Sequence, residues 1–269
     1  MGPVAAATES RTDPVTLYRA EGVVLRTHKL GEADRIIVFL TLGRGKVRAV
    51  AKGVRKTKSR FGGRLEPPNR ASLLLYEGRE LDVITQAETV EHYPALREDL
   101  DRLTDALAIV EVVDQVTQEG EPNPPLYRMV TGALRTLAAG GERSPLLVAA
   151  FYWKLLALEG VAPVLDDCVR CAAGRLDSNG PGPDARKTDN ELVSFDPVEG
   201  GALCHEHRRG PALERGALEL IRRILGGDLA TVLNEPDSRA TAAVGDLATT
   251  AVEAHLERRL RTVHLLGHG

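Results

Sequence analysis

The hydrophobic period changes once, near Pro94, and this change limits the fold more than any other feature of the chain. Before it, apolar residues come in short β-branched runs separated by turn residues. "LYRAEGVVLRTH" runs to a turn at Gly31, and "DRIIVFLTL" ends at "GRG". In "KVRAVAKGV", Val47, Ala49 and Ala51 alternate with Lys46, Arg48 and Val50. "RASLLLYEGRELDVITQAETV" predicts two strands around a Glu77-Gly78 hairpin turn. Residues 17–91 therefore hold five short strands, with one long loop after the third. Closing them into a small barrel removes exposed sheet edges.

Beyond Pro94 the period is helical. Leu96, Leu100, Leu103, Leu107 and Val110 recur at three- and four-residue steps, with Asp114 and Gln118 expected to face outward. "LYRMVTGALRTLAAGG" predicts a second helix closed by its glycine pair. "SPLLVAAFYWKLLALEG" predicts a third, with Ser144 as cap, Pro145 in the first turn and Gly160 at the stop. That helix is apolar nearly all round, so it is expected at the centre of a bundle, with Trp153 as core packing. Further helices are expected at "PALERGALELIRRILGG" and over roughly 238–263. Residues 1–14 read as a disordered lead-in, and 176–190 as a flexible polar insertion. The fold class is α+β: a barrel domain over 15–92 and a helical domain over 93–269.

The charge is unevenly placed. Residues 1–91 carry 16 Lys/Arg against 11 Asp/Glu, and the remainder 19 against 27, within a chain of net charge −3. From Arg44 to Arg70 there are ten basic residues and one acid, Glu66. Such a run is ordinarily a solvated loop. Here strands fix both of its ends, Gly53, Gly62 and Gly63 permit close backbone approach, and Phe61 is placed to stack on a base. Like charges held together favour a polyanion as partner. With few aromatic residues, phosphate contact should outweigh stacking and sequence preference should be weak. Glu32 and Asp34, near the Gly31 turn, are expected to hold neighbouring basic side chains in place.

The cysteines point to a metal. Cys168 and Cys171 form C-x2-C, and Cys204 with His207 forms C-x2-H. Each pair brings two soft donors onto one tight turn, and together they supply the four ligands of a closed zinc site over about 164–210. His205 is an adjacent alternative to His207. Four protein ligands leave no open position, so the zinc is expected to be structural. A zinc-dependent DNA hydrolase with Glu206 as base is the competing enzymatic reading, although no H-E-x-x-H is present. A pure protein adaptor whose basic loop binds an acidic peptide is another, with exposed apolar residues in "LIRRIL" as a second docking place. There is no G-x-x-x-x-G-K-[ST] and no G-x-S-x-G. No apolar run approaches the ~18 residues of a membrane span, and no secretory signal is evident, so no membrane partner is expected.

"VVLRTHKLGEADRIIVFLT", "GKVRAVAKGVRKTKSRFGGRLEP", "GVAPVLDDCVRC" and "FDPVEGGALCHEH" occur in this order, and together they resemble the RecO family of bacterial recombination mediators over most of residues 17–225. The resemblance implies an N-terminal five-stranded OB-fold barrel and a helical domain carrying an inserted zinc finger. It implies a cytoplasmic, nucleoid-associated, non-enzymatic protein of the RecF pathway. Such a protein binds single- and double-stranded DNA, anneals complementary strands and assists loading of RecA onto strands coated by single-strand binding protein (SSB). The implied partners are RecR and the C-terminal tail of SSB. The implied DNA-binding positions are Arg35, Lys46, Lys52, Arg55, Lys58, Arg60 and Arg64, to which the basic run adds Lys56. The fourth metal ligand, commonly Cys in the family, is His207 here.

Overall fold

The computed structural model describes residues 16–171 and 191–262. The readings of 1–14 as a lead-in and 176–190 as an insertion fall outside the described residues. The chain forms two compact units, one of residues up to 92 together with 119–122, the other of 93–118 and 123 onward.

In the first unit, β1 (Leu17–Leu30), β2 (Asp34–Thr41), β3 (Gly45–Ala51), β4 (Arg70–Tyr76) and β5 (Asp82–Glu91) close a barrel in the order β1-β2-β3-β5-β4. All neighbours are antiparallel except β3 and β5, which pair in parallel through Ala49–Asp82 and Val50–Val83. This is the OB-like barrel expected from the sequence. Strand alternation explains its interior: Val24, Ile37, Phe39, Ala49, Ala51, Ala71, Leu73, Leu75 and Ile84 all point inward and are buried.

The long loop between β3 and β4 adds two further core residues. Phe61 and Leu65, at and within a short 3₁₀ turn (Gly62–Leu65), are 0% and 1% exposed and belong to the barrel's own cluster. Phe61 is therefore not a stacking platform for a base. Its ring is an anchor, because burying an aromatic surface among aliphatic side chains outweighs leaving it in water. Only the side of the ring below the Arg60 guanidinium carbon, 4.8 Å from the centroid, meets a charge.

The second unit is built of α1 (Pro94–Glu98), α2 (Leu100–Val116), α3 (Pro124–Ala138), α4 (Leu147–Leu158), a hairpin of β6 (Leu192–Asp196) and β7 (Gly201–Cys204), α5 (Arg215–Gly226), α6 (Leu229–Val232) and α7 (Arg239–Leu256). The first predicted helix is interrupted at Asp99, whose carboxylate accepts from the Asp101 and Arg102 amides and so starts α2 afresh. Leu100, part of the apolar period, is consequently exposed, and Asp114, expected outside, is buried. α3 begins at Pro124, earlier than expected, because Asn123 Oδ1 caps the Leu126 amide. α4 begins two residues late: Ser144 Oγ accepts from Leu146 N at 3.3 Å, but the helix starts only at Leu147.

α4 packs against α2, α3, α5 and α7, the central place its apolar character predicts. Trp153 is fully buried and meets Phe195 of β6 edge to face, with centroids 5.7 Å apart. In "LIRRIL", Leu220, Ile221 and Ile224 are buried, Arg223 pairs with Asp228 and Glu235, and Arg222 donates to the Leu165 carbonyl. This stretch faces the core and offers no exposed apolar docking surface. Among the described residues no helix is long and apolar enough to cross a membrane.

Candidate nucleic-acid interface and metal centre

The basic loop leaves β3 after Ala51 and reaches β4 at Arg70. Its first half is tied to the β1–β2 turn. The Gly53 amide donates to Asp34 Oδ1 at 2.7 Å, the Arg55 amide to the Ala33 carbonyl at 3.0 Å, and the Arg55 guanidinium to the Glu32 and Gly31 carbonyls at 2.8 and 3.3 Å. The two acids beside that turn thus act differently from the expectation. Asp34 holds a backbone amide, and Glu32 offers its carbonyl rather than its carboxylate. Two successive turns follow, closed by Lys56 N to Gly53 O and Ser59 N to Lys56 O. The second half is held by Phe61 in the core, by Asn69 Nδ2 donating to the Gly63 carbonyl at 2.7 Å, and by the Arg35–Glu66 ion pair at 2.5 Å.

These interactions sort the predicted cations into three groups. Arg35 and Arg70 are paired with carboxylates, Arg35 with Glu66 and Arg70 with Glu21 and Glu91, and they build the loop's frame. Arg55 and Arg64 are exposed and, among the described residues, donate only to carbonyls, Arg64 to those of Arg60 and Phe61. A carbonyl fixes the side chain but leaves its charge uncompensated. Lys52, Lys56, Lys58 and Arg60 are exposed and meet no carboxylate among the described residues. Six like charges thus stand on one anchored loop, whose sole acid, Glu66, is already used. Lys29, which sequence reasoning passed over, is exposed and lies directly across from Arg35 in the β1–β2 pairing. Counting back from the Gly31 turn is the one signal that finds it.

The cations at the start of β3 are placed differently. Arg44 pairs with Glu77 at 3.7 Å and lies over the Tyr18 ring at 3.7 Å, and Tyr18 in turn donates to Asp82. Burial, followed by the Asp82 hydrogen bond, pushes the Tyr18 hydroxyl well above its ordinary value. Arg48 pairs with Glu119 at 3.4 Å. Lys46 is half-buried. This end of the strand is close to neutral.

The candidate metal-ligand residues come from the segment 164–171 and from the end of β7 with the turn after it. Val164 pairs with Gly201, and the Val169 amide donates to the Ala202 carbonyl, so the chain before Cys171 lies along β7. Gly201 makes this approach possible, since a Cβ there would sit 2.2 Å from Val169 Cγ1. Arg170 and Arg209 both pair with Glu199, and Arg209 also with Asp196, stitching the two halves together. Burial of Asp196 opposes its ionisation, but the Glu199 and Val198 amides and Arg209 outweigh it and hold the carboxyl below its ordinary value.

Cys168, Cys171, Cys204 and His207 bring their donor atoms within 4.8 Å of one another. Cys204 Sγ lies 3.4 Å from His207 Nδ1, Cys168 Sγ 3.8 Å from the same nitrogen, and Cys171 Sγ 3.6 Å from Cys204 Sγ. A tetrahedral zinc with bonds of about 2.3 Å separates its ligands by about 3.8 Å, so the donor set fits such an ion. The cluster contains His207; His205 is exposed and outside it. Burial of Cys168 disfavours its thiolate, but the amides of Cys204, Arg170 and Cys171 and the Cys171 side chain prevail and bring the thiol down to about 6. Glu206 is exposed.

The family comparisons cover both units. Residues 15–93 match the family model "Recombination protein O N terminal", and residues 97–264 match "Recombination protein O C terminal". A protein of Frankia casuarinae named DNA repair protein RecO is 43% identical over 255 residues, covering 93% of this chain and 98% of that one. One of the same name from a Nocardioides species is 41% identical over 253 residues, covering 92% and 98%. With both halves matched in order and the relatives aligned nearly end to end, the chain belongs to the RecO family.

Proposed function

We propose that the protein is a non-enzymatic recombination mediator in DNA repair that binds single- and double-stranded DNA through the loop of residues 52–64. The observation that carries this reading is the set of six exposed cations on a loop anchored at both ends, none of them meeting a carboxylate among the described residues. Anchoring matters because the repulsion between those charges is then borne by the folded barrel instead of being relieved by motion. A polyanion that enters the loop is bound electrostatically and releases its counterions. With Phe61 in the core, no aromatic platform lies in this loop, so the protein meets phosphates and affinity should vary little with sequence. Two complementary strands held on one cationic surface repel each other less, which is the route proposed for annealing.

Binding to oligo-dT tests the reading. If about five phosphates are engaged, log K falls against log salt with a slope of roughly −3.5. A flat salt response rejects the electrostatic mechanism.

Assistance in loading RecA onto SSB-coated strands, and partnership with RecR and the SSB tail, are proposed on family membership. The helical unit offers a place suited to an acidic peptide with apolar side chains. A groove of about 300 Å3 between α3, α4 and α6 is lined by Met129, Phe151, Leu229 and Leu233 together with the cationic Arg128 and Lys154. A labelled peptide carrying an acidic run and an apolar end is expected to bind there. Changing Arg128 and Lys154 together to Ala should weaken it about tenfold, as expected for loss of two exposed ion pairs. Equal affinity for the variant would remove the groove from consideration.

The Cys168, Cys171, Cys204 and His207 cluster is proposed to hold one structural zinc. The ion would supply a cross-link between the 164–171 segment and β7, with all four positions taken by the protein.

A further inference from the structure

Residues 119–122, from the segment joining α2 to α3, belong to the barrel unit and lie on it as a strap. Glu119 bridges to Gly45 and Lys46, and the Gly120 amide donates to the Lys46 carbonyl at 3.1 Å. The seat is shaped for it. A Cβ at Gly45 would stand 2.1 Å from the Glu121 carbonyl oxygen, so only glycine leaves room. The strap bears two acids, Glu119 and Glu121, and no base. The Glu119 carboxylate meets the Arg48 guanidinium at 3.4 Å, with both side chains about half exposed.

Arg48 sits on the outward face of β3, the strand that leads directly into the basic loop at Lys52. Without Glu119 it would extend the loop's cationic surface along the barrel. With Glu119 in place, the charge available for phosphates stops at the loop. We propose that the 119–122 strap is a built-in acidic mask, Glu119 occupying on Arg48 the position that a nucleic-acid phosphate would otherwise take. The strap would then limit the length of strand gripped, and a bound polyanion would compete with it. This rests on the loop being the DNA-binding surface.

The test is a double-mutant cycle on Glu119 and Arg48 read by oligo-dT affinity at low salt. Glu119→Gln keeps the backbone seat and removes the charge. It is expected to tighten binding about two- to fivefold, in keeping with release of one exposed ion pair, and to steepen the salt slope by up to about 0.7, one added phosphate. Arg48→Gln should lose more affinity in the Glu119→Gln background than in the wild-type one. Unchanged affinity and slope for Glu119→Gln, or equal losses from Arg48→Gln in both backgrounds, would overturn the mask while leaving the loop's role intact. If the wild-type chain fails to bind oligo-dT at all, both the mask and the loop's role fall together.

Discussion

Replacing Lys56, Lys58 and Arg60 together by Ala is expected to weaken binding to single-stranded DNA on the order of 100-fold at about 0.1 M salt. Each phosphate no longer neutralised takes about 0.7 from the slope of log K against log salt, so three should bring it from roughly −3.5 to about −1.4. The weakening should be the same for unrelated sequences, because cations that meet phosphates carry no base information. Stability should change little, since all three side chains are exposed and none is paired with a carboxylate among the described residues. An unchanged salt slope, measured by titrating a fluorescent oligonucleotide at several ionic strengths, would show that the phosphates are held elsewhere. Effects that differ strongly between sequences would mean that the loop reads bases.

Chelating the proposed metal at Cys168, Cys171, Cys204 and His207, or changing Cys204 to Ser, should loosen the module around β6 and β7. Zinc held by such a donor set in small modules contributes on the order of 10 kcal/mol to folding. Apart from the packing of Phe195 on Trp153, the hairpin is a two-stranded sheet of five- and four-residue strands, so a cross-link should add much to its stability. The pH dependence follows from Cys168. Its thiol titrates at about 6 in the folded chain against an ordinary value of 9.0. A depressed thiol favours the folded state fully only above the ordinary value, and the advantage is lost as pH falls through about 6. Protons and metal compete for the same thiolates, so the site's affinity for metal should fall as pH drops below that point. A metal dissociation constant unchanged between about pH 8 and about pH 5.5, or a Cys204→Ser variant with unaltered melting and unaltered proteolysis of the module, would contradict the assignment. His205→Ala serves as the control: its side chain lies outside the cluster, and metal content should not change.

The masking strap and the open loop together divide the barrel's charge. Of Arg35 and the ten basic residues from Arg44 to Arg70, some build the surface and others are left to use it. Arg35 and Arg70 hold the frame through Glu66, Glu21 and Glu91, and replacing either would disturb the loop's shape as well as its charge. A drop in affinity for an Arg35 variant is therefore ambiguous, whereas one at Lys56 or Lys58 reports on charge alone. Arg55 lies between these cases, because its guanidinium fastens the loop to the Gly31–Glu32 turn while keeping its charge exposed.

Periodicity and local spacing already contained the two architectures and the metal-ligand pairs. Alternation over two residues is a property of one strand, the 3.6-residue repeat a property of one helix, and C-x2-C a property of one turn, so each is written in neighbouring residues. Boundaries set by a single capping side chain were less legible: Asp99 restarts a helix that the apolar period carries straight through. The basic run was plain as a sum of charges, but its usable part was not. Whether a cation is free depends on what lies across space from it, and Glu119 reaches Arg48 from 71 residues away. Phe61 illustrates the same limit, since an aromatic residue flanked by Arg and Gly looks exposed until the barrel closes around it. The chain's own order of residues decided which elements form and which Cys and His pairs are spaced to hold a metal. Only the folded barrel decided which charges remain uncompensated, because Coulomb interaction and burial act over distance in space and not along the chain.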